Sequence, residues 1–174
     1  IARESIRSLI KATRGVTCEP EQIVIGAGTK LLVQQLMGMQ KGRKAALENP
    51  GYSRFYNLMR SMEIEVFPIP LDDKGVVIEE VEAVHADFLF VTPSHQFPTG
   101  KIMPISRRIE LLNWASSSPG RYIVEDDYDS EFKYRSDHIP SLQSLDQNNC
   151  VIYLGTFSKT MFPGLRISYM VLPP

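Results

Sequence analysis

The chain has 174 residues, 43% of them apolar, which suffices for one domain with a buried core. Its formal net charge of −1 gives no overall field that would draw it to nucleic acid or to a membrane surface. No apolar run approaches the length of a membrane span and no signal peptide is visible, while Cys18 and Cys150 match no metal or redox spacing; a reduced, cytoplasmic protein is the simpler reading. The chain begins at Ile1 rather than methionine and stops on Pro174 directly after an apolar run, so it reads as a piece of a longer protein.

Taken in order, residues 1–14 read as a helix with Ile6, Leu9 and Ile10 on one face and Gly15 as its stop. QIVIGAG is a short strand running into glycines, and TKLLVQQLMGM is a helix. RKAALEN is a strand stopped by Pro50-Gly51. SRFYNLMRSM is a helix, and IEVFPIP is a strand whose prolines place it at an edge or an exit. VIEEVEAV is a short helix and DFLFVTP a buried strand. PISRRIELLNWAS is a helix with Pro104 at its start. RYIVEDD, CVIYLGTFS and RISYMVLP complete the strands. Strand and helix alternate at short spacing, which predicts an α/β layered domain with a mostly parallel sheet. Ligands of such sheets bind beyond the carboxyl ends of the strands.

Five strand ends carry chemistry, and each also has an ordinary reading. Gly26-Ala27-Gly28-Thr29 feeds a helix N-terminus, which suits a phosphate; taken alone it reads first as a plain turn with Thr29 as N-cap. Tyr52 can cover a planar ligand and Arg54 can grip a carboxylate, or both can sit on a surface turn. The rigid loop TPSHQFPTG (92–100) offers His95 and Gln96. In EDDYDSEF (125–132), acids crowd the end of a buried strand, where a carboxylate calls for a positive partner. In GTFSKTMFPGLR, the hydroxyls of Thr156, Ser158 and Thr160 with Arg166 suit a phosphate. Lys159 beside them is costly to desolvate unless paired or used, and it can attack a carbonyl to form a Schiff base.

In this chain order the motifs resemble the large domain of the fold type I pyridoxal-phosphate enzymes, the aspartate aminotransferase superfamily. TPSHQFPTG, VEDDYDSEF and VIYLGTFSKTMFPGLRISY are similar to the aminotransferase-like domain of MocR-type regulators within the GntR group. The resemblance implies a three-layer α/β/α sandwich, with residues 1–174 forming part of a cofactor-binding large domain. A winged helix-turn-helix would precede it and a small domain would follow it.

The resemblance also implies roles. Lys159 would carry the internal aldimine with pyridoxal 5′-phosphate. Asp126 would face the pyridine nitrogen and keep it protonated. Strand alternation and the position two before the tyrosine favour Asp126 over Asp127. Tyr128 would hydrogen-bond the phenolic oxygen and Tyr52 would stack on the ring. Ala27, Gly28 and Thr29, with Thr156, Ser158 and Arg166, would hold the phosphate. Two positions depart from the usual aminotransferase pattern. Phe97-Pro98-Thr99-Gly100 replaces the asparagine that assists the phenolic oxygen, a role His95 or Gln96 is expected to share. Ala27 stands where serine is frequent. Both departures put fast transamination in doubt without challenging cofactor binding.

Tyr52-x-Arg54 resembles the regulators that sense γ-aminobutyrate, in which the arginine pairs with the effector carboxylate, whereas Arg60 reads as a solvated helix charge. The implied function is a cofactor-binding, effector-sensing domain of a homodimeric regulator that meets DNA only through its other domain. The alternative is a free-standing aminotransferase. A domain kept for dimerisation alone is disfavoured by the intact set of Asp126, Tyr128, Lys159 and Arg166.

Overall fold

A computed structural model describes residues 1–40, 42–129, 140–157 and 166–174. Helix α1 (Ala2–Arg14) ends at Gly15, whose φ of 71° lets its own N–H reach the Lys11 carbonyl and the N–H of Val16 reach that of Ile10. Ile6 and Ile10 are buried, but Leu9 is 39% exposed, so the apolar face is narrower than the sequence pattern predicts.

Strand β1 (Ile23–Gly26) leads into α2 (Thr29–Gly38), β2 (Lys44–Asn49) into α3 (Ser53–Ser61), and β3 (Glu65–Asp72) through the two-residue β4 (Gly75–Val76) into α4 (Ile78–Ala83). Then come β5 (Phe88–Val91), α5 (Ile105–Ser116), β6 (Tyr122–Asp127), the one-turn α6 (Leu142–Leu145), β7 (Val151–Thr156) and β8 (Ser168–Val171). The sequence pattern did not show β4 or α6, which are too short to establish a period.

The eight strands form one sheet in the order β1-β8-β7-β6-β5-β2-β3-β4. Strands β7, β6, β5, β2 and β3 are parallel, and β8 runs against both β7 and β1. Strand β3 pairs with β2 on one side, and on its other side β4 pairs with its Leu71 and Asp72. Pro68 and Pro70 therefore lie on a strand that is nearly an edge, where a missing N–H is tolerated.

Strand alternation sorts side chains into two cores. Ala45, Leu47, Phe88, Phe90, Val124, Ile152 and Leu154 pack beneath α2 and α3. Ala46, Leu89, Val91, Ile123 and Val151 pack on the other face against Val81 of α4 and Leu111, Trp114 and Ala115 of α5. Helix α1 lays Ile6 and Ile10 against Ile23, Tyr153 and Tyr169. Both faces of the sheet are thus covered, giving the three-layer α/β/α arrangement.

One topological fact positions everything that follows. Because β8 is antiparallel to its neighbours, its start lies beside the ends of β1 and β7: Ser168 pairs with both Gly26 and Thr156. The carboxyl ends of β1, β2, β5, β6 and β7 and the beginning of β8 therefore share one rim.

That rim is held from below by a guanidinium. Arg108 of α5 is fully buried and donates to the carbonyls of Met103 (3.0 Å), Pro93 (2.8 Å) and Pro140 (2.7 Å). Burial pulls its pKa below the ordinary arginine value, with Glu125 acting in the opposite direction. Arg108→Leu strands three carbonyls and is expected to destabilise the intact protein by about 3 kcal/mol, read as a lower urea midpoint; an unchanged midpoint would contradict this account.

Candidate functional site

A pocket of about 350 Å³ opens at the shared rim. Its first wall is the turn between β1 and α2. Gly28, not Thr29, is the N-cap of α2, and no side chain caps that helix. The first N–H groups of α2 therefore have no intrahelical acceptor, and the helix dipole leaves partial positive charge there. Gly28 has φ 106°, and a Cβ on it would lie 2.9 Å from Nη2 of Arg166. Only glycine lets the guanidinium come this close to the turn. Thr156, at the end of β7, accepts a hydrogen bond from Ser168 Oγ at 2.9 Å. Lys30 joins the same wall. Helix N-terminus, hydroxyls and arginine form one electropositive end, the donor set of a phosphate site.

The opposite end is acidic. Strand β6 finishes on Glu125, Asp126 and Asp127, all buried. Alternation sends Asp126 to the face of Val124 and into the pocket. Asp127 goes to the α1 face, where its Oδ2 accepts from Arg14 Nε at 2.6 Å and Tyr153 Oη at 2.7 Å. Burial pulls Arg14 down, but the charge and hydrogen bond of Asp127, with Tyr153 and Glu125, together outweigh it, and the guanidinium ends above its ordinary value. Burial and then Asp127 push the Tyr153 phenol well up. Glu125 accepts from the backbone N–H groups of Leu142 (2.7 Å) and Gln143 (2.8 Å) and caps the start of α6. The three neighbouring acids thus have three distinct environments.

The side walls are aromatic. Tyr52 meets Phe55 edge-on at 5.0 Å and Phe97 at 5.9 Å. Gly51 before it is obligatory, because a Cβ there would collide with the Glu48 carbonyl oxygen. Tyr128 and Thr92 line the pocket, and exposed Arg54 stands on it at the start of α3. Arg60, two turns along the same helix, is also exposed and does not line it.

Of the residues picked from sequence, the structure brings Gly28, Thr29, Tyr52, Arg54, Asp126, Tyr128, Thr156 and Arg166 to one pocket. Ala27 adjoins Gly28 in the turn. Ser158 and Lys159 lie outside the described residues. His95 does not line the pocket; it sits behind Tyr128, 3.1 Å from the phenol oxygen. Gln96 is buried and points away: its amide donates to the Pro50 and Phe97 carbonyls and to Glu48, and it accepts from Thr99. It holds the loop rather than facing a ligand.

Sequence reasoning missed Lys30, Thr92, Phe97 and Ser168 on the pocket wall, and Glu48 beneath it. Thr92 is a generic residue directly after a strand, so no local signal marked it. Glu48 was hidden inside a strand-like run. Its Oε2 accepts from Thr92 Oγ1 (2.6 Å), Thr92 N (3.2 Å) and Gln96 Nε2 (3.2 Å), while Oε1 has no hydrogen-bond partner among the described residues. Burial pushes its carboxyl up to about 7.

The arrangement suits a flat ligand with an anionic group at one end and a basic ring atom at the other. The fold is that of an aminotransferase-type α/β protein. The chain belongs to the aminotransferase class I and II family, whose model matches residues 2–174. It is 46% identical over 172 residues to the uncharacterized HTH-type transcriptional regulator YdeL of Bacillus subtilis, covering 98% of this chain and 37% of that protein. It is 38% identical to the probable rhizopine catabolism regulatory protein MocR of Rhizobium meliloti, covering 99% of this chain and 35% of the relative. It superposes with a TM-score of 0.86 and 29% identity on LysN, an α-aminoadipate aminotransferase from Thermus thermophilus solved with N-(5′-phosphopyridoxyl)-L-leucine, covering 99% of this chain and 45% of that one. The chain thus spans little more than a third of the length of these regulators. Among the described residues, no helix is long and apolar enough to cross a membrane.

The state of Glu48 gives a pH test. Its folded carboxyl holds a proton that the unfolded chain releases from about 4.5, so its stabilising contribution is present at low pH and is lost as pH rises toward about 7. Glu48→Gln removes this penalty. The variant is expected to gain on the unaltered protein by roughly 2 kcal/mol between pH 5 and pH 8. Parallel melting temperatures across that range would show that Glu48 is not the titrating group.

Proposed function

We propose that this chain is the pyridoxal-phosphate-binding, effector-sensing domain of a bacterial transcriptional regulator. The observation that carries the cofactor reading is the pocket itself, with an anion-binding end and a buried carboxylate end separated by an aromatic wall. The similar regulators in Bacillus and Rhizobium support the regulatory role. Their greater length supports a winged helix-turn-helix before this domain and a small domain after it, in a cytoplasmic homodimer that meets DNA through the former.

The residues fit the cofactor. The α2 N-terminus, Thr156 and Arg166 would hold its phosphate, joined by Ser158. Asp126 would hold a proton on the ring nitrogen, Tyr52 would cover a ring face, and Tyr128 would donate to the phenolic oxygen. Lys159 would form the covalent link. When bound, pyridoxal phosphate supplies an electron-withdrawing ring that activates a bound amine. Arg54 stands where a guanidinium can take the carboxylate of an amino-acid-like effector. Such an effector shifts the regulator only by its differential affinity for two states of the protein.

A free-standing aminotransferase is the second reading, favoured by the LysN superposition. Phe97 in place of the usual asparagine weighs against it. Sequencing upstream of Ile1 separates the two: a winged helix-turn-helix and linker support the regulator, and a short arm alone supports the enzyme.

With added pyridoxal phosphate, Lys159→Ala is expected to abolish the visible absorption of the covalently bound cofactor. Asp126→Ala is expected to weaken binding at least ~10-fold, the worth of one charge-assisted hydrogen bond. Asp127→Ala should mainly lower the melting temperature, by removing the buried ion pair with Arg14 and the acceptor of the Tyr153 hydroxyl. An intact band in the lysine variant, or the reverse ranking of the aspartates in a titration, would overturn these assignments.

A further inference from the structure

His95 is tied to its neighbours behind the pocket wall rather than to the pocket itself. His95 Nδ1 lies 2.6 Å from Asp129 Oδ2, with the Asp129 side chain only 4% exposed. The same nitrogen lies 3.1 Å from the Tyr128 hydroxyl oxygen. The two rings stack, 5.9 Å apart and tilted by 20°, and Phe97 closes edge-on against Tyr128 at 6.3 Å.

Proton accounting decides what this cluster can do. A nitrogen–oxygen contact of 2.6 Å against a carboxylate is a charge-assisted hydrogen bond and needs a proton between the two atoms. An ionised carboxylate accepts only, so the proton belongs to Nδ1. An imidazole nitrogen that carries a proton has no lone pair left to accept. Tyr128 therefore cannot give its hydroxyl proton to His95; its oxygen can only share the Nδ1–H at the longer distance. The hydroxyl proton goes to an acceptor other than His95, and Tyr128 lines the pocket.

We propose that His95 and Asp129 are positioning residues that fix Tyr128 as a hydrogen-bond donor into the pocket, toward an anionic oxygen on the bound ring. The pair supplies by orientation what an asparagine at position 97 would supply by direct contact. Neither residue needs to touch the ligand, which accounts for the place of His95 behind the pocket wall. The inference rests on the cofactor reading above.

The test uses the intact protein loaded with pyridoxal phosphate. His95→Phe keeps the ring stack and removes the donor, Asp129→Asn removes the anchor, and His95→Asn returns an amide N–H near the place of Nδ1. Borohydride reduction and mass spectrometry first ask whether each protein carries the cofactor covalently. In loaded protein, the pH midpoint of the cofactor's visible absorption should rise by about half a unit or more in His95→Phe and Asp129→Asn and recover in His95→Asn, because a weaker donor leaves the ring oxygen less able to hold its charge. Equal midpoints in all four loaded proteins overturn the proposal.

Failure of the unaltered protein to form the adduct overturns the cofactor reading instead. The positioning claim is then read in the cofactor-free protein from the ring-carbon resonance of Tyr128, labelled with 13C at Cζ and assigned by its loss in Tyr128→Phe. That resonance should move by more than its linewidth in His95→Phe and return in His95→Asn. A resonance that stays in place overturns the proposal.

Discussion

The site depends on how the end of β6 disposes of adjacent carboxylates. Two neighbouring acids in a buried strand would repel each other and lose solvent, and the pleat separates them. Asp127 is turned to the α1 face, where Arg14 and Tyr153 hold one of its oxygens. Breaking such a buried pair costs roughly 3–5 kcal/mol, because the remaining charge is left without compensation. With Asp127 held by α1, alternation leaves Asp126 on the pocket face. The first helix of the chain and the acidic end of the pocket are therefore one electrostatic unit. Arg14 extends it further, since its Nη2 donates to Ser94 in the loop that carries His95.

The opposite end is built differently. It owes its positive character to backbone geometry more than to the number of cations. A glycine with φ 106°, an uncapped helix start and one guanidinium packed against the glycine concentrate donors at a point. The antiparallel run of β8 brings Arg166 and Ser168 back to the rim from which β1 and β7 depart. A wholly parallel sheet would have placed the start of that strand at the far edge. The same fold thus delivers a fixed anion-binding end and a fixed acidic end across one aromatic cleft, with no charge cluster visible in the composition.

Beneath the pocket, Glu48, Thr92 and Gln96 form a buried polar floor. Gln96 makes hydrogen bonds to Glu48, to the carbonyls on both sides of the turn, and to Thr99. This explains why the loop holds its shape although few of its residues belong to regular structure. It also explains why Gln96 is unavailable to a ligand. Polar groups inside a protein are committed to one another once buried, since leaving any of them unpaired costs more than a new contact returns.

The amino-acid sequence by itself determined the alternation of strands and helices, because period-2 and period-3.6 patterns are local and survive without tertiary information. It also determined which strand ends carry unusual chemistry: Gly28, Tyr52, Asp126, Tyr128, Thr156 and Arg166 each stand out against the turn in which they occur. Alternation put Asp126 and Asp127 on opposite faces, and the position two before the tyrosine chose Asp126 for the pocket. Only the tertiary structure decided which of these residues meet, because the sheet order and the reversed β8 set distances between segments more than a hundred residues apart. It alone placed His95 behind Tyr128 rather than on the ligand side, turned Gln96 into the floor, and gave Asp127 its partner in Arg14. Those outcomes depend on long-range contacts between charged and polar groups, and such contacts leave no periodic trace along the chain.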